Sequence, residues 1–458
     1  MQQAAAPRWI HAPPSLSPAA RRAVLVLVAT AAAAGDAALV SVSPALALVL
    51  GGAAVVAGIL TNLARIPVAV IVVGGALTVA AIVDLPRRFT VGPTTSYAEI
   101  TAALASVIGL VGVSRYVLGA VRGTGRLLWP LYAYAVWAIL SMVWFKPSFD
   151  GIQNTLVFVA FAALIPVTAA TVIRGDLSIE TARRAVTCAI LFASCLEVGN
   201  LVTGGLNGEA VIGPRSYALV GVVGVAWGVG HARFGNRRIG LLAPLCWLLI
   251  TLSLSRLAFA ASLLIIVIGS LDVRTAGRLV RSVLVIGTVA GLAYFSVTSF
   301  GPLASRFRPQ GDLKSVGGVS VDVTGRTNLW HVTWVSYLRS PIIGQGAGSA
   351  ETVIDRSRGS AHGQPHDDYI RVLHDYGIIG LVLLLAALAA LLTYAGRATR
   401  STRRGDPAAP IHLAAALAVI GLLAAMATDN AIVYPFVVVP IAVILGLSIG
   451  VRRRAAWR

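Results

Sequence analysis

Apolar runs separated by short polar turns make up almost the whole chain. Runs close to the roughly 20 residues a helix needs to cross a bilayer fall near residues 23–42, 45–64, 67–84, 98–121, 127–145, 154–173, 185–204, 216–232, 240–253, 257–271, 282–298, 376–396, 411–428 and 436–451. The pattern predicts an all-α polytopic membrane protein of about 14 transmembrane helices, or 12–14 because the runs at 240–253 and 257–271 are short. One polar interval interrupts it. The chain therefore divides into a transmembrane bundle of about 11 spans over 1–298, a long loop over 299–375, and about three C-terminal spans over 376–458.

The loop is too long to be a plain connection, and it carries two tryptophans and four prolines. Gly325-Arg326-Thr327-Asn328-Leu329-Trp330 opens a short amphipathic helix that Ser340-Pro341 ends. Trp330, Trp334, Tyr337 and Leu338 recur on it at helical spacing. Such a stripe suits packing on the membrane interface or the bundle, and aromatic faces also suit sugar rings or the first isoprenes of a lipid. Gly344-Gln345-Gly346-Ala347-Gly348 is a weak candidate for a phosphate cradle, since no strand precedes it and its spacing fits neither nucleotide fingerprint. From Pro365 a second helix is expected, with Pro365 at its first position and Gly377 at its end. On that helix His366 shares a stripe with Tyr369, Ile370 and Leu373 and faces the protein body. An inward histidine is either a hydrogen-bonded core residue or a reactive group at the mouth of the bundle.

Composition agrees with a membrane protein: 57% hydrophobic, 12% charged, mean hydropathy +0.82. The three cysteines lie inside apolar runs and suggest neither a disulfide framework nor a thiolate metal site. The first apolar run lacks a short h-region with a clear cleavage site and reads as a retained helix. Charge supplies the orientation. With the N-terminus cytoplasmic, the turns on that side hold 23 arginines against four acids (Asp176, Glu180, Asp272 and Asp406), a difference equal to the whole formal charge of +19. This positive-inside distribution expects both termini in the cytoplasm and the long loop outside. It explains the basic balance by anionic membrane lipids, with no nucleic acid partner.

Two of the arginines on the outer side are more telling than the rest. Arg215, after Gly213-Pro214, and Arg256, after Ser253-Leu254-Ser255, begin spans on the outer side. Helix N-termini are already electropositive, so a cation there is locally unfavourable unless an anion joins it. Two such ends beside an arginine-bearing loop describe a receptor for a multiply charged anion, because guanidinium holds phosphate oxygens bidentately. Each arginine alone could instead reach lipid phosphates at the interface.

Gly325-Arg326 leading into Trp330, then Pro341 with Gly344 and Gly346, then His366, Tyr369, Leu373 and Gly377-Ile378-Ile379-Gly380, together with Pro214-Arg215 and Ser255-Arg256, resemble the signature of the O-antigen ligase/O-antigen polymerase superfamily. The resemblance is carried by residues 200–380. It implies a GT-C-like membrane glycosyltransferase of the bacterial plasma (inner) membrane. The enzyme would pass a glycan from an undecaprenyl- or decaprenyl-type polyprenyl diphosphate to a hydroxyl on a glycan, lipid or wall acceptor, at the extracytoplasmic face. It implies inversion of the anomeric centre without a metal or cofactor. Arg215, Arg256 and, less directly, Arg326 would hold the diphosphate. His366 would be the general base or would position the acceptor hydroxyl, with Asp367, Tyr369 and Trp330 as orienting residues. Asp367-Asp368 replaces the family's usual small polar residue after the histidine and is expected either to raise the His366 pKa or to bind a cation.

Other classes remain in view. Asp36, Arg115 and Glu197 lie inside spans, where a charge costs roughly 2.5–3.5 kcal/mol. Such residues can mark a transport path, so a transporter or flippase for a lipid-linked or small anionic substrate is the alternative. Polyprenyl-monophosphate sugar transferases usually carry an acid in the first outer loop, and Ser43-Pro44 offers none. No H-E-x-x-H occurs, and no cytoplasmic segment is long enough for a nucleotide domain.

Overall fold

The computed structural model describes residues 115–458 apart from 146–148, 176, 207–212, 273–274, 308–312, 317–318, 323–325, 359–362, 404 and 457–458. The spans expected at 23–42, 45–64 and 67–84, most of that at 98–121, and Asp36 lie outside the described residues.

Ten of the expected spans have helical counterparts. In chain order these are α1 (Arg115–Leu140), α2 (Phe149–Arg174), α3 (Ile179–Gly204), α4 (Pro214–Arg233), α5 (Leu242–Leu252), α6 (Arg256–Ser270) and α7 (Ala276–Thr298). The loop region holds α8 (Gly301–Phe307), a hairpin of β1 (Leu313–Val316) and β2 (Val319–Asp322), α9 (Arg326–Tyr337) and α10 (Ser349–Arg358). The hairpin pairs Leu313 with Asp322 and Val316 with Val319. Three long helices close the chain, α11 (Asp368–Ser401), α12 (Ala409–Met426) and α13 (Pro435–Ala456). Among the described residues seven helices, α1, α2, α3, α7, α11, α12 and α13, are long and apolar enough to cross a membrane.

Two expected boundaries change. The turn placed at 122–126 is continuous helix within α1, because Gly123 and Gly125 lower helix propensity without forbidding helix. α5 and α6 hold 11 and 15 residues, roughly 16 and 22 Å at helical rise. Each is shorter than the hydrocarbon core.

α4 is the central post. Every residue from Tyr217 to His231 is buried, as expected of a helix apolar on all sides, and α3, α5, α6, α12 and α13 surround it. At one end of the bundle the basic turns meet the neighbouring helices. Arg233 donates to Gly269 O at 2.7 Å, Arg452 to Tyr394 O at 3.4 Å and Arg454 to Val172 O at 3.5 Å. Glu197 is fully buried in α3 and accepts from Asn200.

The opposite end is organised by a break in α11. Gly377 stops the helix at φ 67°, ψ −171°, and the chain resumes helix at once. Of the groups left free by that break, two carbonyls and two N–H groups pair with residues 341–346. His374 O and Asp375 O accept from Gln345 N (2.9 Å) and Gly346 N (2.8 Å), while Ile378 N and Ile379 N donate to Pro341 O (2.9 Å) and Ile342 O (3.3 Å). The two strands of backbone touch through paired glycines. A Cβ on Gly377 would lie 2.2 Å from Ile342 O, and one on Gly344, at φ 77°, would lie 2.4 Å from Asp375 O. The glycine-rich stretch is therefore no phosphate cradle. Its N–H groups are consumed by the helix break and by the Asp375 carboxylate, which accepts from Gly348 N (3.1 Å) and Ala350 N (2.8 Å). A side-chain anion fills the place of a ligand.

Behind this joint Arg371 is 1% exposed and faces Glu351 and Asp368 at 3.8 and 3.7 Å. Gln364 bonds both Arg371 and Glu351, and Asn154 of α2 reaches Glu351 at 3.4 Å. The network ties α10 and the segment before α11 to the membrane helices. Removing one partner of a buried ion pair strands the other charge, typically at about 3–5 kcal/mol. Gly377→Ala combines a positive φ, about 1–3 kcal/mol for a non-glycine residue, with a backbone collision. Arg371→Ala and Gly377→Ala should each lower the thermal unfolding midpoint of the detergent-solubilised protein steeply. A midpoint equal to wild type in either variant would contradict the joint described.

Candidate active site

The residues singled out by charge and spacing converge at the Gly377 end of the bundle. Arg215 occupies the first turn of α4, whose Pro214 is preorganised for a helix start. Its guanidinium is clamped from behind by a carboxylate absent from the sequence expectation. Nε donates to Asp429 Oδ2 at 2.7 Å and Nη2 to Asp429 Oδ1 at 2.8 Å, the planar bidentate pairing. Asp429 lies in the turn between α12 and α13 and is almost wholly buried, while 41% of the Arg215 side chain is exposed. The pair is thus a buried anchor holding an open cation, whose Nη1 makes no hydrogen bond among the described residues.

His366 does not sit on a helix. α11 begins at Asp368, and His366 precedes it at φ 51°, a conformation that costs a non-glycine residue about 1–3 kcal/mol. Its neighbours hold it there. Trp330 Nε1 donates to Pro365 O at 2.9 Å, and the Asp367 carboxylate caps α11 by accepting from Ile370 N at 3.0 Å. Nδ1 of His366 lies 3.2 Å from Arg215 Nη2 and 3.2 Å from Asn430 Nδ2. Arginine only donates, so Nδ1 is the acceptor and the neutral ring carries its proton on Nε2.

Arg326, the first residue of α9, donates through Nη1 to Thr428 O at 2.6 Å. Burial, then the nearby Arg215, pull its pKa below the ordinary arginine value; Asp429 opposes them and Arg256 adds to them. Arg256 opens α6 and donates to Arg306 O at 2.8 Å. Arg215, Arg256 and Arg326 thus each start a helix, and Arg326 feels the charge of the other two.

One expected effect is reversed. Asp367 and Asp368 do not raise the His366 pKa. Burial, followed by Arg215 and Arg326, lowers it to about 4, with Asp429 opposing. The two aspartates are occupied elsewhere, Asp367 as the helix cap and Asp368 accepting from Ile432 N at 2.9 Å. Tyr369 is an anchor, donating to Leu423 O at 2.8 Å. The aromatic stripe of α9 lies beside its buried face. Leu329, Thr333 and Ser336 are its buried face, whereas Trp334 and Leu338 are exposed.

The sequence reading missed the turn at Thr428-Asp429-Asn430. Its signal was an acid and an amide in a short turn between two apolar runs, on the same side as Arg215.

The chemistry of the cluster is that of an anion receptor beside a neutral imidazole. Protonating His366 would press a third cation against Arg215 and Arg326, so the unfolded chain binds that proton more readily than the native one. Between pH 6.5 and about 4 the His366 contribution therefore makes stability fall as pH falls. Asp367, raised by burial to about 6, acts in the opposite sense between its ordinary value and pH 6. Against wild type, His366→Gln should gain relative stability as pH drops from 6.5 towards 4, read as the difference in unfolding midpoints. A difference independent of pH would contradict the depressed pKa.

The O-Antigen ligase family model matches residues 241–385. No curated protein matches the chain. Arg256, Arg326, His366 and the Gly344/Gly377 joint lie within the matched residues, while Arg215 and its partner Asp429 lie outside them. Residues 241–385 are thus similar to an O-antigen ligase domain, and they belong to a chain with a bundle of membrane-length helices.

Proposed function

We propose that the protein transfers a glycan from a polyprenyl diphosphate to an acceptor hydroxyl, at the extracytoplasmic face of the bacterial plasma membrane, with both termini in the cytoplasm. The observation that carries this reading is the pairing of Arg215 with His366, held by Asp429 and Asn430 and flanked by Arg326 and Arg256. The arginines supply fixed positive charge where a diphosphate would leave, and such preorganised electrostatics is the largest single contribution in many enzymes. The orientation follows from the arginine-rich turns at the other end of the bundle.

In this reading the acceptor oxygen attacks the anomeric carbon from the face opposite the diphosphate. The bond from that carbon to the diphosphate oxygen breaks, and its electron pair leaves with the diphosphate, so the centre inverts. The acceptor's proton passes to a phosphate oxygen or to water. Arg215, through its outward Nη1, and Arg326 neutralise the developing charge, and Arg256 adds to the field. Of the two roles the resemblance allows for His366, the donors on Nδ1 favour positioning. The Nε2–H group is the free edge of the ring, suited to holding the acceptor oxygen in line. Asp367, Trp330 and Tyr369 fix the segment that presents it. Stabilisation of this kind needs no metal ion.

Transfer from a polyprenyl-diphosphate glycan by the purified full chain tests the assignment. Removing a preorganised donor to developing charge typically costs about 10²–10³ in kcat, and Arg215→Ala should fall in that range. His366→Gln, which keeps an N–H donor, should retain activity that His366→Ala loses. Equal inactivity of both histidine variants would move His366 to the general-base role, and wild-type rates in Arg215→Ala and His366→Ala would overturn the site. Activity should also survive chelation by EDTA.

A further inference from the structure

A cavity lies at the arginine-rich end, away from the His366 cluster. It encloses about 610 Å³ between α7 and the bundle. α7 is a membrane-length helix of 23 residues, yet only Ser282 and Ala293 are buried. Ser282 pins its start, donating to Ser270 O at 2.8 Å and accepting from Asp272 N at 3.0 Å. Beyond that pin the helices do not interdigitate as packed helices do at 8–10 Å separation, and a slot stays open.

The lining is amphipathic along its length. Arg278, Arg281, Val285, Val289 and Leu292 recur on one stripe of α7. Arg278 to Leu292 spans roughly 21 Å at helical rise, the scale of one leaflet's acyl chain. Trp247 and Ile266 form part of the facing apolar wall. At the polar end Arg233, Arg278 and Arg281 stand against a single acid, Asp272. Asp272 lies 3.8 Å from both Arg233 and Arg278, and Arg281 makes no hydrogen bond or ion pair among the described residues. The rim therefore carries excess positive charge above an apolar slot that the described residues leave unfilled.

We propose that this slot binds one anionic glycerophospholipid of the leaflet at the arginine-rich end. Its phosphate would sit among Arg233, Arg278 and Arg281, and an acyl chain would lie along Val285, Val289 and Leu292. Guanidinium groups match phosphate geometry, and the chain restores the contacts that an unfilled apolar surface lacks. The lipid fills the wedge that the described side chains leave.

The test is native mass spectrometry of the full chain, delipidated in detergent and titrated with phosphatidylglycerol or phosphatidylcholine of identical acyl chains. One phosphatidylglycerol should bind about tenfold more tightly than phosphatidylcholine, since each basic residue near a headgroup contributes about 1 kcal/mol. Arg278→Gln with Arg281→Gln should abolish that preference, and Val289→Trp should weaken binding of both lipids by filling the slot. Arg183→Gln with Arg184→Gln removes the same charge elsewhere at the same end and should leave the preference intact. No selectivity in the wild type, equal loss in both arginine pairs, or undiminished binding in a folded Val289→Trp protein would overturn the proposal.

Discussion

The His366 end of the molecule depends on one piece of backbone chemistry, the hydrogen bonds that residues 341–346 make to the break in α11. A helix interrupted inside a membrane protein leaves N–H and C=O groups that no water reaches, and such groups must be paired. Here the loop pairs four of them, and only glycine at 344 and 377 lets the two backbones come close enough. The Asp375 carboxylate then collects the N–H groups of Gly348 and Ala350 and the Ser349 hydroxyl. The loop is thereby fixed to the bundle, and α9, α10 and the segment bearing His366 are fixed with it.

On this frame the charges are set in layers. Arg371 with Glu351, Gln364 and Asp368 lies fully inside, where ion pairs specify position more than they stabilise. Asp429 forms the next layer, buried but turned towards Arg215. The Arg215 guanidinium, the Arg326 guanidinium and the His366 ring make the outermost layer. The carboxylate behind Arg215 leaves it positive and keeps it in place. Excess positive charge crowded at one point, with Arg326 pulled below its ordinary pKa, is a ground state that an anion relieves.

Much of this was readable in the chain. Hydropathy located ten of the helices that the structure describes, and the placement of arginines on the less basic side singled out Arg215 and Arg256. The stripe expected after Pro365 singled out His366, and the resemblance added a role for it and for Arg326. What could not be read is what long-range contact decides. His366 looked helical because Pro365 and Gly377 are good helix punctuation, but Asp367 is the better cap and starts the helix one residue beyond it. Asp367 and Asp368 looked like neighbours able to charge the histidine, yet both are spent on backbone N–H groups. Trp330 and Trp334 share a stripe in sequence, while burial chose Leu329, Thr333 and Ser336. Asp429, more than 200 residues from Arg215, announced itself by nothing more than an acid in a short turn.

The central claim is that Arg215, Arg326 and His366 form one receptor for a lipid diphosphate and the hydroxyl that attacks it. A structure of the full chain with a polyprenyl diphosphate bound tests it most directly. The account predicts diphosphate oxygens within hydrogen-bond distance of Arg215 and Arg326, Asp429 still paired to Arg215, and His366 Nε2 facing the space in front of the leaving oxygen. A diphosphate seated away from Arg215, or an Arg215–Asp429 pair broken to admit it, would contradict the account.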